Sequence, residues 1–116
     1  MVEQANIEIK RGDTWSKILY FEDDHCVHID ITGWTIYFTA KLDITDSDGD
    51  AEIEKTINTF ENPLNGEAEL SLTSEDTDLA TGNYFYDIQV KTNLDEIYTI
   101  VEGVLTITQD ITTRND

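Results

Sequence analysis

Apolar residues recur along this chain with a period of two and almost nowhere with a period near 3.6. In Asn83–Lys91, Tyr84, Tyr86, Ile88 and Val90 share one face while Asp87, Gln89 and Lys91 share the other, which is the pattern of a strand buried on one side. In Trp34–Leu42, Trp34, Ile36, Phe38, Ala40 and Leu42 alternate with Thr35, Tyr37, Thr39 and Lys41, and this predicts a strand at the centre of a sheet. Glu67–Leu72 places Ala68, Leu70 and Leu72 opposite Glu67, Glu69 and Ser71, and Ala51–Ile57 places Ile53 and Ile57 opposite Glu52, Glu54 and Thr56. Shorter extended stretches are expected at Ile7–Lys10, Thr14–Phe21 and Val27–Thr32. In the second of these Ile18 and Tyr20 lie opposite Trp15, Lys17, Leu19 and Phe21.

Turn chemistry separates the strands. Arg11-Gly12-Asp13, Gly33, Asp46–Asp50 and Asn62-Pro63-Leu64-Asn65-Gly66 supply residues that accept tight or positive-φ conformations. Thr73-Ser74-Glu75-Asp76 reads as a helix N-cap followed by acidic residues, so one short helical turn is expected near residues 74–80. In the last strand the inward set Tyr98 and Ile100 is even-numbered, whereas Leu105 and Ile107 beyond Gly103 are odd-numbered. A slip of one residue is what a β-bulge produces, and Gly103 is its expected place. Seven or eight short strands with regular turns predict an all-β sandwich. At 116 residues the chain is expected to form a single domain, 1–116, with 110–116 as a possible flexible tail.

Composition narrows the function classes. Twenty-five acidic against seven basic residues give a formal charge of −18, which repels phosphate backbones and anionic membranes. Direct binding of nucleic acid or membrane is therefore not expected. The single Cys26 rules out an internal disulfide. The opening MVEQANIEIK holds no apolar stretch, so no signal peptide is expected and the product is read as soluble and made in the cytoplasm.

The ordered signals resemble a known family. Arg11-Gly12-Asp13-Thr14-Trp15, Asp30-Ile31-Thr32-Gly33-Trp34, Leu70-Ser71-Leu72-Thr73, Gly82-Asn83-Tyr84-Phe85-Tyr86-Asp87-Ile88-Gln89, Gly103-Val104-Leu105-Thr106-Ile107 and Asp110-Ile111-Thr112 follow one another along nearly the whole chain. This order is similar to the small immunoglobulin-like virion domains of tailed bacteriophages, in particular the N-terminal module of baseplate upper proteins. The resemblance implies an antiparallel immunoglobulin-like sandwich that binds other virion proteins in multiple symmetric copies and has no enzymatic activity or cofactor. A tail or baseplate position is favoured over capsid decoration or a head fibre. Gly12, Gly33 and Gly103 are then structural glycines, Trp15 and Trp34 buried core anchors, and Tyr84 and Tyr86 core or interface aromatics.

Several residues invite other chemistry. His25, Cys26 and His28 are metal-ligand types, but one short turn offers no second cluster to close a tetrahedron. Asp46, Asp48 and Asp50 resemble a calcium loop, yet the sixth and twelfth positions counted from Asp46 are Ala51 and Ile57 rather than glycine and glutamate. Arg11-Gly12-Asp13 spells an adhesion tripeptide, and its glycine is equally explained by a turn. Both histidines lie close together, leaving no evident base for a nucleophile elsewhere. If exposed, Tyr20, Tyr37, Phe85 and Tyr98 are candidate interface residues. Two alternatives to assembly stay open: an acidic inhibitor that imitates nucleic-acid charge, and a sandwich that binds host-surface carbohydrate through exposed tryptophans.

Overall fold

The computed structural model describes residues 3–23, 25, 27–43, 45 and 51–109. The strands are β1 (Glu3–Gln4), β2 (Ile7–Lys10), β3 (Trp15–Tyr20), β4 (Thr35–Lys41), β5 (Ile53–Ile57), β6 (Glu67–Leu72), β7 (Gly82–Lys91) and β8 (Ile97–Thr108). The larger sheet has the order β1-β8-β7-β4-β5, with β2 continuing along the β8 edge, and β3 with β6 forms the smaller sheet. The result is the sandwich-like all-β fold that the alternation predicts. In an immunoglobulin-type sandwich, strands C, F and G lie side by side, a variable-type domain adds a strand beyond C, and B and E face them. Here β4, β7 and β8 take the C, F and G places, β5 the added one, and β3 and β6 the B and E places. Tyr84 near the start of β7 donates its hydroxyl to the Ala80 carbonyl at 2.6 Å, the tyrosine-corner bond expected at this point of such a fold.

The inward residues of both sheets form one core. Ile36, Phe38 and Ala40 of β4, Leu70 and Leu72 of β6, Ile88 and Val90 of β7, and Leu105 and Ile107 of β8 are all buried. Phe38 stacks on Tyr86 with ring centroids 5.5 Å apart. Trp15 and Trp34 do not reach the full burial expected of them. They are half-buried and pack against the core from its margin, Trp34 edge-on to Phe21 at 5.5 Å. Trp15 opens β3, and Trp34 immediately precedes β4.

Three local details differ from the sequence expectation. β1 and β2 run parallel to β8, so the larger sheet is mixed. Alternation fixes which face of a strand is buried and is silent on its direction. Secondly, the bulge lies upstream of Gly103: Ile88 pairs with Val101 and Gln89 with Thr99, leaving Ile100 as the extra residue. Gly103 has a different task, because a Cβ there would collide with the Ala5 carbonyl. The chain crosses at that point from β1 to β2, held by Ala5 N–H to the Glu102 carbonyl (3.0 Å), Val104 N–H to Asn6 Oδ1 (3.1 Å), and the Tyr86 hydroxyl to the Ala5 carbonyl. Thirdly, β4 is interior to its sheet, but the central strand is β7.

The expected helical turn is present as a single capped turn. Thr77 N–H bonds to the Thr73 carbonyl at 3.2 Å, while Thr73 N–H donates to Asp76 Oδ2 (2.8 Å) and Asp76 N–H to Thr73 Oγ1 (3.2 Å), a reciprocal cap. Gly82 opens β7. A 3-10 turn occupies Pro63–Asn65.

Candidate functional site

The outward face of the larger sheet carries the mixture of side chains expected of a contact surface. Tyr37 lies opposite Gln89, and Phe85 sits in register between Lys41 on one side and Val104 on the other. Ile97 stands opposite Lys91 further along the sheet. Together they line a shallow trough of about 680 Å³, with Glu54, Asp87 and Glu102 among its carboxylates. Lys91 reaches Asp95 at 3.7 Å, Gln89 Nε2 donates to Thr99 Oγ1 at 3.2 Å, and Gln4 Nε2 donates to Glu102 Oε1 at 2.6 Å. The face is thus partly preorganised, with apolar side chains set inside a polar margin.

The four aromatic candidates divide between surfaces. Phe85 (46 % exposed) and half-buried Tyr37 lie on the trough; Tyr98 (51 %) stands near the tip of the β7–β8 hairpin, and Tyr20 (61 %) on the smaller sheet. The Glu96 carboxylate beside Tyr98 raises its phenol above the usual range. Burial, with help from Glu52, does the same for Tyr84. Sequence reading misses Val104 and Ile97 as surface residues. Their parity, opposite to that of Tyr98 and Leu105, already turns both outward wherever between them the slip falls.

The smaller sheet offers a different kind of surface. Phe21 N–H bonds to the Gly66 carbonyl at 2.8 Å, and the β3–β6 register then directs the backbone groups of Gly66, Ala68, Leu70 and Leu72 toward β3. Glu67, Glu69 and Ser71 point the other way. Consistently, Glu67 N–H meets the Asn62 carbonyl at 3.3 Å, and an isolated bridge joins Asn62 to Glu67. The ladder stops there, because residues 58–61 diverge from β6. No backbone partner for Glu69 or Ser71 on this edge is found among the described residues. A groove of about 390 Å³ opens between β6 and the diverging segment, lined by Ile18, Phe60, Glu61, Glu67 and Glu69.

The other sequence candidates resolve into local structure. The Asp23 carboxylate accepts the N–H groups of His25 (2.8 Å) and Val27 (3.0 Å), and His28 bridges to Glu22. Both histidines are exposed. Cys26 and Asp46, Asp48 and Asp50 lie outside the described residues. Among the described residues no group of three or more His, Cys, Asp or Glu converges on a metal position. Arg11-Gly12-Asp13 is fastened to the capped turn: Arg11 Nε pairs with Asp78 at 3.0 Å, and buried Thr77 donates its hydroxyl to the Asp13 carbonyl at 2.7 Å. Gly12 and Gly33 adopt φ of 82° and 85°, as their turns require.

The chain matches no model of a known protein family and no curated protein. No helix among the described residues is long and apolar enough to cross a membrane.

Proposed function

We propose that this chain is a non-enzymatic structural protein of a bacteriophage virion that binds other virion subunits, at the tail or baseplate in preference to a capsid-decorating or head-fibre position. The observation that carries the docking part is the outward face of the larger sheet. Phe85, Tyr37, Ile97 and Val104 are presented there on hydrogen-bonded strands, inside a margin of lysines and carboxylates. Interface cores favour aromatic anchors of this kind, with polar residues around them. The virion part rests on the six ordered motifs. In the fold, several of them form the turns at Gly12 and Gly33 and the strands β7 and β8. A formal charge of −18 selects a basic docking surface and discourages free copies from clustering.

Mass spectrometry of purified particles tests the assignment. The expected result is this chain in fixed stoichiometry with the other virion proteins; its absence from intact particles would sink the proposal. Phe85→Ala is expected to lower incorporation while leaving the folded chain intact, since Phe85 is half-exposed and contributes to the outward face.

A further inference from the structure

We propose that the free edge of β6 is a strand-addition site, and that its occupant is an extended basic segment of a partner protein. The inference deepens the assembly reading and rests on it for the existence of a partner. The larger sheet ends at β5 on one side and at β1 and β2 on the other, whereas the smaller one has two strands among the described residues, so that both of its strands are edges. Open edges carry unpaired N–H and C=O groups that template a further strand. The two edges are not equivalent. On β3, Lys17 shares the core-facing side with Leu19 yet is exposed, and an inward-pointing charge at an edge discourages pairing. β6 has no such guard: its inward residues Ala68, Leu70 and Leu72 are all buried.

The chain begins to supply a third strand and stops. After the Asn62–Glu67 bridge, residues 58–61 turn away and leave the groove beside Glu69. A strand of about five residues, roughly 17 Å long, would cover Ala68–Leu72, beyond the Asn62 carbonyl that already holds the Glu67 N–H. Its outward side chains would share the face of Glu67, Glu69 and Ile18, with Glu61 beside the groove, and its intervening ones would turn toward the core side, where Phe60 packs. Alternating basic and apolar residues fit that surface. A second copy of this acidic chain would bring like charges together, and directly opposed like charges destabilise a cross-strand pair.

The test is a titration of the full chain with an eight-residue peptide of alternating lysine and valine, followed by backbone NMR and amide exchange. Controls are the glutamate–valine counterpart and a lysine–valine peptide interrupted by proline. The Glu69 and Ser71 amides are expected to exchange freely in the unbound chain and to become protected about tenfold or more on binding. Glu69→Pro removes the edge donor without touching the β3 ladder, and is expected to weaken binding about tenfold or more. The double variant Glu67→Lys, Glu69→Lys keeps the edge and is expected to switch preference to the glutamate peptide, so the proposal stays testable if the proline variant fails to fold. Protection of Glu69 and Ser71 before any peptide is added, perturbation centred on β3 or the trough, equal binding of both peptides, or no binding at millimolar peptide would each overturn it. Particle mass spectrometry reads the assembly proposal separately: a chain present in particles but silent to the peptide loses only the edge.

Discussion

The two sheets of this sandwich keep their strands in place by different means. In the larger sheet β7 pairs with β4 on one side and β8 on the other along most of its length, and its inward side chains lie at the centre of the core. The smaller sheet is a two-stranded ribbon, a unit that is marginal by itself in water. It persists because Leu19, Ala68, Leu70 and Leu72 are pressed against the larger sheet. Backbone pairing and burial act together in one layer. In the other, a single ladder joins the two strands and burial supplies the rest.

The largest test of that contrast is Phe38→Ala. Phe38 is fully buried and stacked on Tyr86, and its truncation is expected to cost about 3–5 kcal/mol in chemical denaturation. Amides of β3 and β6 are expected to lose exchange protection before those of β7; simultaneous loss would show the layers to be equally dependent on the core. Next comes Gly103→Val, which drives a side chain into the Ala5 carbonyl and is expected to cost about 1–3 kcal/mol. The Ala5 amide should lose protection while the β7–β8 ladder keeps its own.

A smaller effect is expected from acid. Burial alone would raise the Asp76 carboxyl, but Lys55 Nζ at 2.7 Å and the N–H and hydroxyl of Thr73 outweigh it and hold the group below the usual carboxylate range. Its stabilising contribution is therefore present above pH about 4 and lost as pH falls through the lowered value. Asp76→Asn should flatten that part of the stability–pH curve. The smallest change in stability is expected for Lys17→Val, within about 0.5 kcal/mol. Its effect should instead be concentration-dependent association in sedimentation, through the unguarded β3 edge.

Much of the layering was legible in the chain because burial follows parity. β4, β6 and β7 lie within a residue or so of where alternation puts them, and the Thr73–Asp76 cap forms from the residues that announce it. The parallel placement of β2 was not legible. Ile7 and Ile9 mark a buried face, and that face suits either sheet and either direction. The bulge was misplaced because glycine signals both irregular backbone and close approach, and only the nearby Ala5 carbonyl separates the two. Of the candidate surface, Tyr37 and Phe85 could be read from their outward parity. The β6 edge could not, since it depends on where residues 58–61 fail to pair.

The parallel seating of β2 against β8 also governs how the domain bears load. Glu3 lies beside Val101, while β8 runs on to Thr108 at the other end of the β2 pairing, roughly 20 Å further along the strand. Tension applied between these two points is directed along the strands. The β2–β8 bonds must then slip as a group instead of peeling apart in turn, so the join resists traction better than a hairpin pulled open from its ends.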